Sequence, residues 1–201
     1  AWDPLTDEYL DPCHGRDDLA RSVLRAVDPR TFGDDSLRVL RAIQFSARFE
    51  LALDDRTAAI CRSVPLGDLP AERIWGELEK LLLQARRPSI GLALARDLGV
   101  VEQLFPEMHA LIGCEQEPDW HPEGDVWIHT VACMDAFAEE RRGDPGEDLI
   151  VGLAVLCLDL GKPSTTTFED GRIRSKGHEE AGAAPTRAFL GRMTNSEELI
   201  E

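Results

Sequence analysis

The sequence predicts an all-α helical array carrying one small β-hairpin, and three observations predict it. Apolar residues recur at three- and four-residue steps through most of the chain. The segments so marked are bounded by helix start and stop signals, and only one stretch alternates with the period of a strand. At 201 residues, 43% apolar and 30% charged, the chain has the composition of a globular protein. No run approaches the roughly 20 uncharged apolar residues of a membrane span.

Taken in order, residues 1–16 hold Pro4, Pro12 and Gly15 among polar residues and read as a strand and loop. Leu19, Val23, Leu24 and Val27, behind the acidic pair Asp17 and Asp18, predict a first helix whose N-terminus meets complementary charge. A second helix is expected after Pro29, capped by Asp34 or Asp35. Leu37, Leu40, Ile43 and Ala47 fall on its inner face, with Arg38, Arg41 and Arg48 on neighbouring arcs. Further helices are predicted at 55–63, at 70–84 with Pro70 in the first turn, at 88–98 closed by Gly99, at 126–141 and at 147–160. Thr165 to Arg174 alternates about Asp170-Gly171, a dipeptide suited to a tight hairpin turn. No internal repeat or low-complexity tract is present.

The formal charge of -16 repels a phosphate backbone at long range, so nucleic-acid contact requires a local basic surface. Cys13, Cys61, Cys114, Cys133 and Cys157 are odd in number and widely spread, with no Cys-x-x-Cys pair. They read as reduced thiols, mostly filling the core. The sequence opens on Ala1 without a secretory leader, so a fragment of a cytoplasmic protein is expected.

The stretch richest in chemistry is Phe32-Gly33-Asp34-Asp35-Ser36-Leu37-Arg38-Val39-Leu40-Arg41. At helical spacing, Asp35, Arg38 and Arg41 project a carboxylate and two guanidiniums from one side. Cytosine and adenine both place an amine donor beside a ring-nitrogen acceptor, whereas uracil and guanine place a carbonyl beside a ring N–H. A carboxylate with a guanidinium matches the first pair and mismatches the second. The same spacing also describes an ordinary intrahelical ion pair on a solvated face, and spacing alone leaves both readings open.

Asp11-Pro12-Cys13-His14-Gly15, Asp17-Asp18-Leu19, and Asp34-Asp35-Ser36-Leu37-Arg38 with Arg41, Phe45, Ala47, Arg48 and Phe49 resemble the ordered neck motifs of class II tRNA nucleotidyltransferases and bacterial poly(A) polymerases. Leu69-Pro70-Ala71-Glu72-Arg73-Ile74-Trp75, with Glu77, Leu78, Lys80, Leu81 and Leu82, is similar to that family's next helix. Residues 120–162 resemble its HD-like region. The resemblance implies a hinge at Asp11, Gly15 and Asp34, the last standing where the family usually has Glu. It also implies that Asp35, Arg38 and Arg41 template incoming CTP or ATP, with tRNA as the partner. The domain division it implies is a neck and body over 1–110 and a degenerate HD-like domain over 111–201. The family's phosphate loop and Asp-x-Asp, which bind Mg2+ for transfer, do not occur in these residues, so no catalytic residue and no cofactor are expected here. Arg48, Arg73, Lys80, Arg86 and Arg87 are the expected phosphate neighbours on RNA.

An HD phosphohydrolase holds its metal with a His, a His-Asp doublet and a distal Asp. The candidates here are His129 and Asp159, with His178 or Asp125 as a further ligand, but Leu158 occupies the doublet's histidine position and cannot ligate. No metal is therefore expected. His129 reads as a packed helix residue, Asp159 as capping the turn before Gly161, and His121 and His178 as loop residues. A metal-dependent phosphohydrolase and a stand-alone helical RNA-binding module are the alternatives to a nucleotidyltransferase part. Trp2, Trp75, Trp120 and Trp127 read as core rather than as stacking groups.

Overall fold

In the computed structural model, which describes residues 1–200, the chain opens with a short antiparallel pair, β1 (Trp2–Asp3) and β2 (Glu8–Tyr9). Helix α1 (Gly15–Ala20) follows, and here the sequence-based expectation of a helix running on to Val27 fails. Ser22 turns the backbone into the left-handed region at φ 54, and β3 (Val23–Leu24) pairs in parallel with β4 (Ala52–Leu53). The pairing competes with continued helix because Ala52 N donates to Ser22 O at 2.8 Å and Asp54 N to Leu24 O at 3.0 Å. A 3-10 turn over Phe32–Asp34 leads into α2 (Leu37–Phe49), whose N-cap is Ser36 rather than either aspartate.

Beyond α2 the local signals and the structure agree closely. Helix α3 (Asp55–Ser63) is capped by Asp54, whose carboxylate accepts from Thr57 N at 3.1 Å. Helix α4 (Ala71–Gln84) has Pro70 at its N-cap, one position earlier than expected. Helix α5 (Pro88–Asp97) is followed by Gly99 at φ 75, then α6 (Val100–Leu104) and α7 (Pro106–His109). Helix α8 (Val126–Glu140) is capped by Asp125. Helix α9 (Pro145–Cys157) starts two residues before the expected 147 because Pro145 occupies its first turn and Asp144 caps it. It ends before Leu158, leaving Asp159 in a turn. Helix α10 (Lys162–Thr165), the hairpin β5 (Thr166–Glu169) and β6 (Arg172–Ser175), α11 (His178–Gly191) and α12 (Glu197–Ile200) complete the described chain. His178 therefore opens a helix rather than sitting in a loop.

One hydrophobic cluster runs from Phe32 to Met193. Helix α2 packs on α4 and α5, α5 on α8, and α8 on α9, which returns to α4. The α2–α5 approach depends on Gly91: a Cβ there would lie 2.7 Å from Leu81 Cδ1 and 3.0 Å from the Ala47 Cβ. Of the cysteines, only Cys61 and Cys157 are buried, which corrects the expectation of mostly core thiols, and all five are free. Of the tryptophans, Trp127 is core at 2% exposure, while Trp2 and Trp120 are exposed.

Gly91→Ala overpacks this contact and is expected to destabilise the fold by about 1–3 kcal/mol. Gly76→Ala in α4, where an added Cβ meets nothing within 4 Å, is expected to leave stability unchanged or raise it by up to about 1 kcal/mol. Urea unfolding of the two variants checks both signs, and equal effects would show that helix close packing at Gly91 is not limiting.

Candidate nucleotide and HD-like sites

The N-terminal end of α2 forms one wall of a concavity of about 350 Å3, which Arg25, Arg38, Arg41 and Phe45 line together with residues 26–28. Thr57 anchors the far wall, its hydroxyl accepting from Ala26 N at 2.9 Å. Arg38 Nη1 donates to the carbonyls of Thr31 and Phe32, which close the turn before α2. Asp35 faces elsewhere: Arg73 Nη2, from α4, donates to both of its carboxylate oxygens at 3.1 and 3.2 Å. Asp35 is extended at φ -136 and ψ 102 ahead of the helix, so the helical spacing expected of it and Arg38 is not realised, and the two are engaged by different partners. The Arg73 guanidinium holds the Asp35 carboxyl below its usual range, helped by the Leu37 amide and opposed by desolvation.

The three hinge positions behave differently. Asp11 accepts from Gly15 N at 2.9 Å and Arg16 N at 2.8 Å. Those two amides, Arg16's first, lower its pKa. Asp34 is exposed. Among the expected RNA neighbours, Arg73 is taken by Asp35, and Lys80 is held by Glu77 Oε1 at 2.7 Å. Arg86 and Arg87 make looser pairs with Glu50 and Asp135, each at 3.7 Å, and stay largely exposed. Arg48 lies over the Phe49 ring, 5.1 Å from its centroid.

At the other end of the molecule, His129 and His178 converge on Asp159. The carboxylate is 1% exposed, and His129 Nε2 lies 3.9 Å and His178 Nε2 3.6 Å from its two oxygens. Both rings are oriented from behind: His129 Nδ1 meets Glu123 Oε1 at 2.7 Å, and His178 Nδ1 meets the Ser175 carbonyl at 2.8 Å. Carboxylate and carbonyl only accept, so each Nδ1 carries the proton and each Nε2 turns toward Asp159. Lys162 Nζ forms an ion pair with Asp159 at 2.9 Å and donates to Gln116 Oε1 at 2.6 Å. Neither Asp159 oxygen has an aligned hydrogen bond. The juxtaposition depends on Gly161, where a Cβ would lie 2.0 Å from the His178 carbonyl oxygen.

Sequence reasoning missed Glu123, Lys162, Gln116 and the grouping of His121 with His129. The signals were His121-Pro122-Glu123 ahead of His129, and Lys162 three residues after Asp159. His121, Glu123 and His129 place one donor atom each within 4.8 Å of one another. Glu123 is held down to about 2, first by its own amide and then by the two imidazoles. Burial, then the Asp159 and Glu123 charges, push the nearby Cys133 thiol up. Leu158, at the doublet position, is 43% exposed.

Residues 53–112 match a family described as the probable RNA and SrmB-binding site of polymerase A. A multifunctional CCA protein of Laribacter hongkongensis is 37% identical over 190 residues, covering 92% of this chain and 45% of that relative. One from Xylella fastidiosa is 36% identical over 202 residues, covering 96% and 46%. The chain therefore spans less than half the length of these curated relatives. Among solved structures, a CCA-adding enzyme with CTP is similar at TM-score 0.55 and 19% identity, over 95% of this chain and 39% of that one. A tRNA-processing enzyme with CTP is similar at TM-score 0.56 and 21% identity, over 98% and 47%. At those identities the structural likeness concerns the fold.

Arg73→Ala is expected to raise the Asp35 pKa toward its ordinary 3.8. The folded-state pKa is depressed, so the pair's contribution is complete above the unfolded value and disappears as pH falls through the folded one. The half-exposed pair contributes at most about 1 kcal/mol. Carboxyl NMR titration of Asp35 in both proteins reads the shift directly; an unchanged midpoint would remove Arg73 as its cause.

Proposed function

We propose that the chain is the nucleotide-selecting and RNA-contacting part of a tRNA nucleotidyltransferase, a reading supported by its 37% identity to a multifunctional CCA protein over 92% of its length and by the RNA-binding family match at residues 53–112. Residues 1–110 carry the neck and the templating motif, and residues 111–201 carry a degenerate HD-like body. The transfer chemistry and its Mg2+ belong to the portion of the relatives that this chain does not cover. CTP, ATP and tRNA are the partners, and the cytoplasm is the compartment.

The observation that carries this reading is the concavity at the start of α2, lined by Arg25, Arg38, Arg41 and Phe45 and of a size to admit a nucleobase. Arg38 presents guanidinium donors, and Asp35 supplies an acceptor just ahead of the helix. In this reading Asp35 exchanges its Arg73 contact for the exocyclic amine of cytosine or adenine, and Arg38 gives up a carbonyl to meet the ring nitrogen. Uracil or guanine would set a carbonyl against the carboxylate and an N–H against the guanidinium. Asp11, Gly15 and Asp34 allow the neck to adjust between the two bases.

The HD-like group does not fit a tightly held divalent ion. Lys162 already neutralises Asp159 from 2.9 Å and repels a second cation. Leu158 removes the histidine of the doublet and turns toward solvent. In this reading Asp159 is held by Lys162, which also joins Gln116, while His129 and His178 present unprotonated Nε2 atoms toward the carboxylate and make no bond to it.

In the longer protein that contains this chain, Arg38→Ala and Asp35→Ala are expected to reduce discrimination of CTP and ATP over UTP and GTP by about 1–3 kcal/mol each. Single-nucleotide incorporation assays measure this, and unchanged selectivity in both variants removes the template. For the group around Asp159, metal analysis is expected to find no stoichiometric divalent ion, and 2′,3′-cyclic nucleotides are expected to stay intact. Retained metal together with hydrolysis abolished by Asp159→Ala would reverse this assignment.

A further inference from the structure

Eight of the 13 residues of α2 are buried, and the remaining five are Arg38, Arg41, Phe45, Arg48 and Phe49. The outward stripe of this helix therefore consists of arginine and phenylalanine alone. An ordinary surface helix mixes both charge signs with neutral polar groups on that side, and this chain carries 38 acidic residues against 22 basic ones. An acid-free cationic and aromatic stripe on such a chain stands out against its own background.

The stripe is also organised. The Arg41 guanidinium lies 5.5 Å from the Phe45 ring centroid and that of Arg48 5.1 Å from the Phe49 centroid, while the two rings are 6.0 Å apart. Phe49 remains 55% exposed, so a face of its ring is open although Arg48 covers part of it. The two ends differ. Arg38, Arg41 and Phe45 line the nucleotide-sized concavity. At the Phe49 end stand Arg86 and Arg87, whose side chains are 77% and 59% exposed.

We propose that the Arg41, Phe45, Arg48 and Phe49 stripe is a stacking platform for the unpaired 3′-terminal nucleotides of an RNA, which it leads toward the concavity at the start of α2. The proposal rests on the nucleotidyltransferase reading and names the surface on which that reading's RNA end would lie. Single-stranded RNA is bound where aromatic rings offer π faces beside groups that neutralise phosphate, and every base has such a face. Guanidiniums resting on the rings add cation–π attraction and keep the positive charge close to the stacked bases. From Phe49 to Arg38 the helix rises about 16 Å at 1.5 Å per residue. At about 3.4 Å per stacked nucleotide, that length takes a short tail of a few nucleotides. The pairing of an open aromatic face with guanidiniums, leading to a nucleobase-sized concavity, favours RNA over an acidic protein surface, which needs the charge but not the rings.

The test uses the longer protein containing this chain and two RNA hairpins, one blunt and one extended by three unpaired 3′ nucleotides. Phe49→Leu keeps the apolar bulk of a half-exposed position and removes the π face, whereas Phe49→Trp keeps the face. Wild type is expected to bind the tailed hairpin more tightly than the blunt one. Phe49→Leu is expected to weaken tailed binding by roughly 5- to 100-fold, the value of losing one stacked base, and to leave blunt binding unchanged. Phe49→Trp should restore the tail preference. If wild type binds the tailed hairpin but Phe49→Leu binds it equally well, or weakens both hairpins alike, the platform is wrong and the nucleotidyltransferase reading stands. If wild type binds neither hairpin, that reading fails together with the platform. A protein partner captured on the stripe while RNA affinity ignores Phe49 also overturns the proposal.

Discussion

The close packing of α2 against α4 and α5 is the constraint on which the rest of the molecule depends. Ala47 and Gly91 let the helices approach until side chains from three elements interlock, with Leu81 filling the remaining space. Once Leu40, Ile43 and Ala47 are committed inward, the 3.6-residue period leaves no choice about what faces out. The same burial that makes the core thus displays Arg38, Arg41, Phe45, Arg48 and Phe49 as one surface. A site built on a central, rigid helix holds its side chains more closely than a site built on loops.

The turn before α2 adds a second set of contacts. Thr31 and Phe32 turn their carbonyls toward Arg38, and Arg73 reaches across from α4 to Asp35. Both charged groups are therefore satisfied within the chain, as charged side chains at a half-buried position require. Under the proposed templating role, a base entering the concavity would exchange one set of partners for another, and discrimination would depend on whether the replacement donors and acceptors match.

The end of the molecule around Asp159 shows how a buried carboxylate is accommodated. Asp159 is 1% exposed, and Lys162, three residues on, forms an ion pair with it at 2.9 Å. His129 and His178 remain aimed at the carboxylate because Glu123 and the Ser175 carbonyl hold their far nitrogens. Leu158, next to Asp159 in sequence, is 43% exposed and takes no part in this group.

Much of this protein is legible without coordinates. The all-α class, the helices near 55–63, 70–84, 88–98 and 126–141, and the hairpin about Asp170-Gly171 follow from apolar period, caps and turn residues, which are local properties of the chain. The concentration of carboxylate and guanidinium at 34–41 is equally local. What the sequence alone could not decide is which groups meet. The β3–β4 pairing that ends α1 at Ala20, the Arg73 that takes Asp35 from 38 positions away, and the meeting of His129 and His178 at Asp159 all join segments distant in sequence. Those contacts depend on how closely helices can approach, at Gly91 and Gly161 in particular, and so on packing in three dimensions, which no periodicity along one segment records.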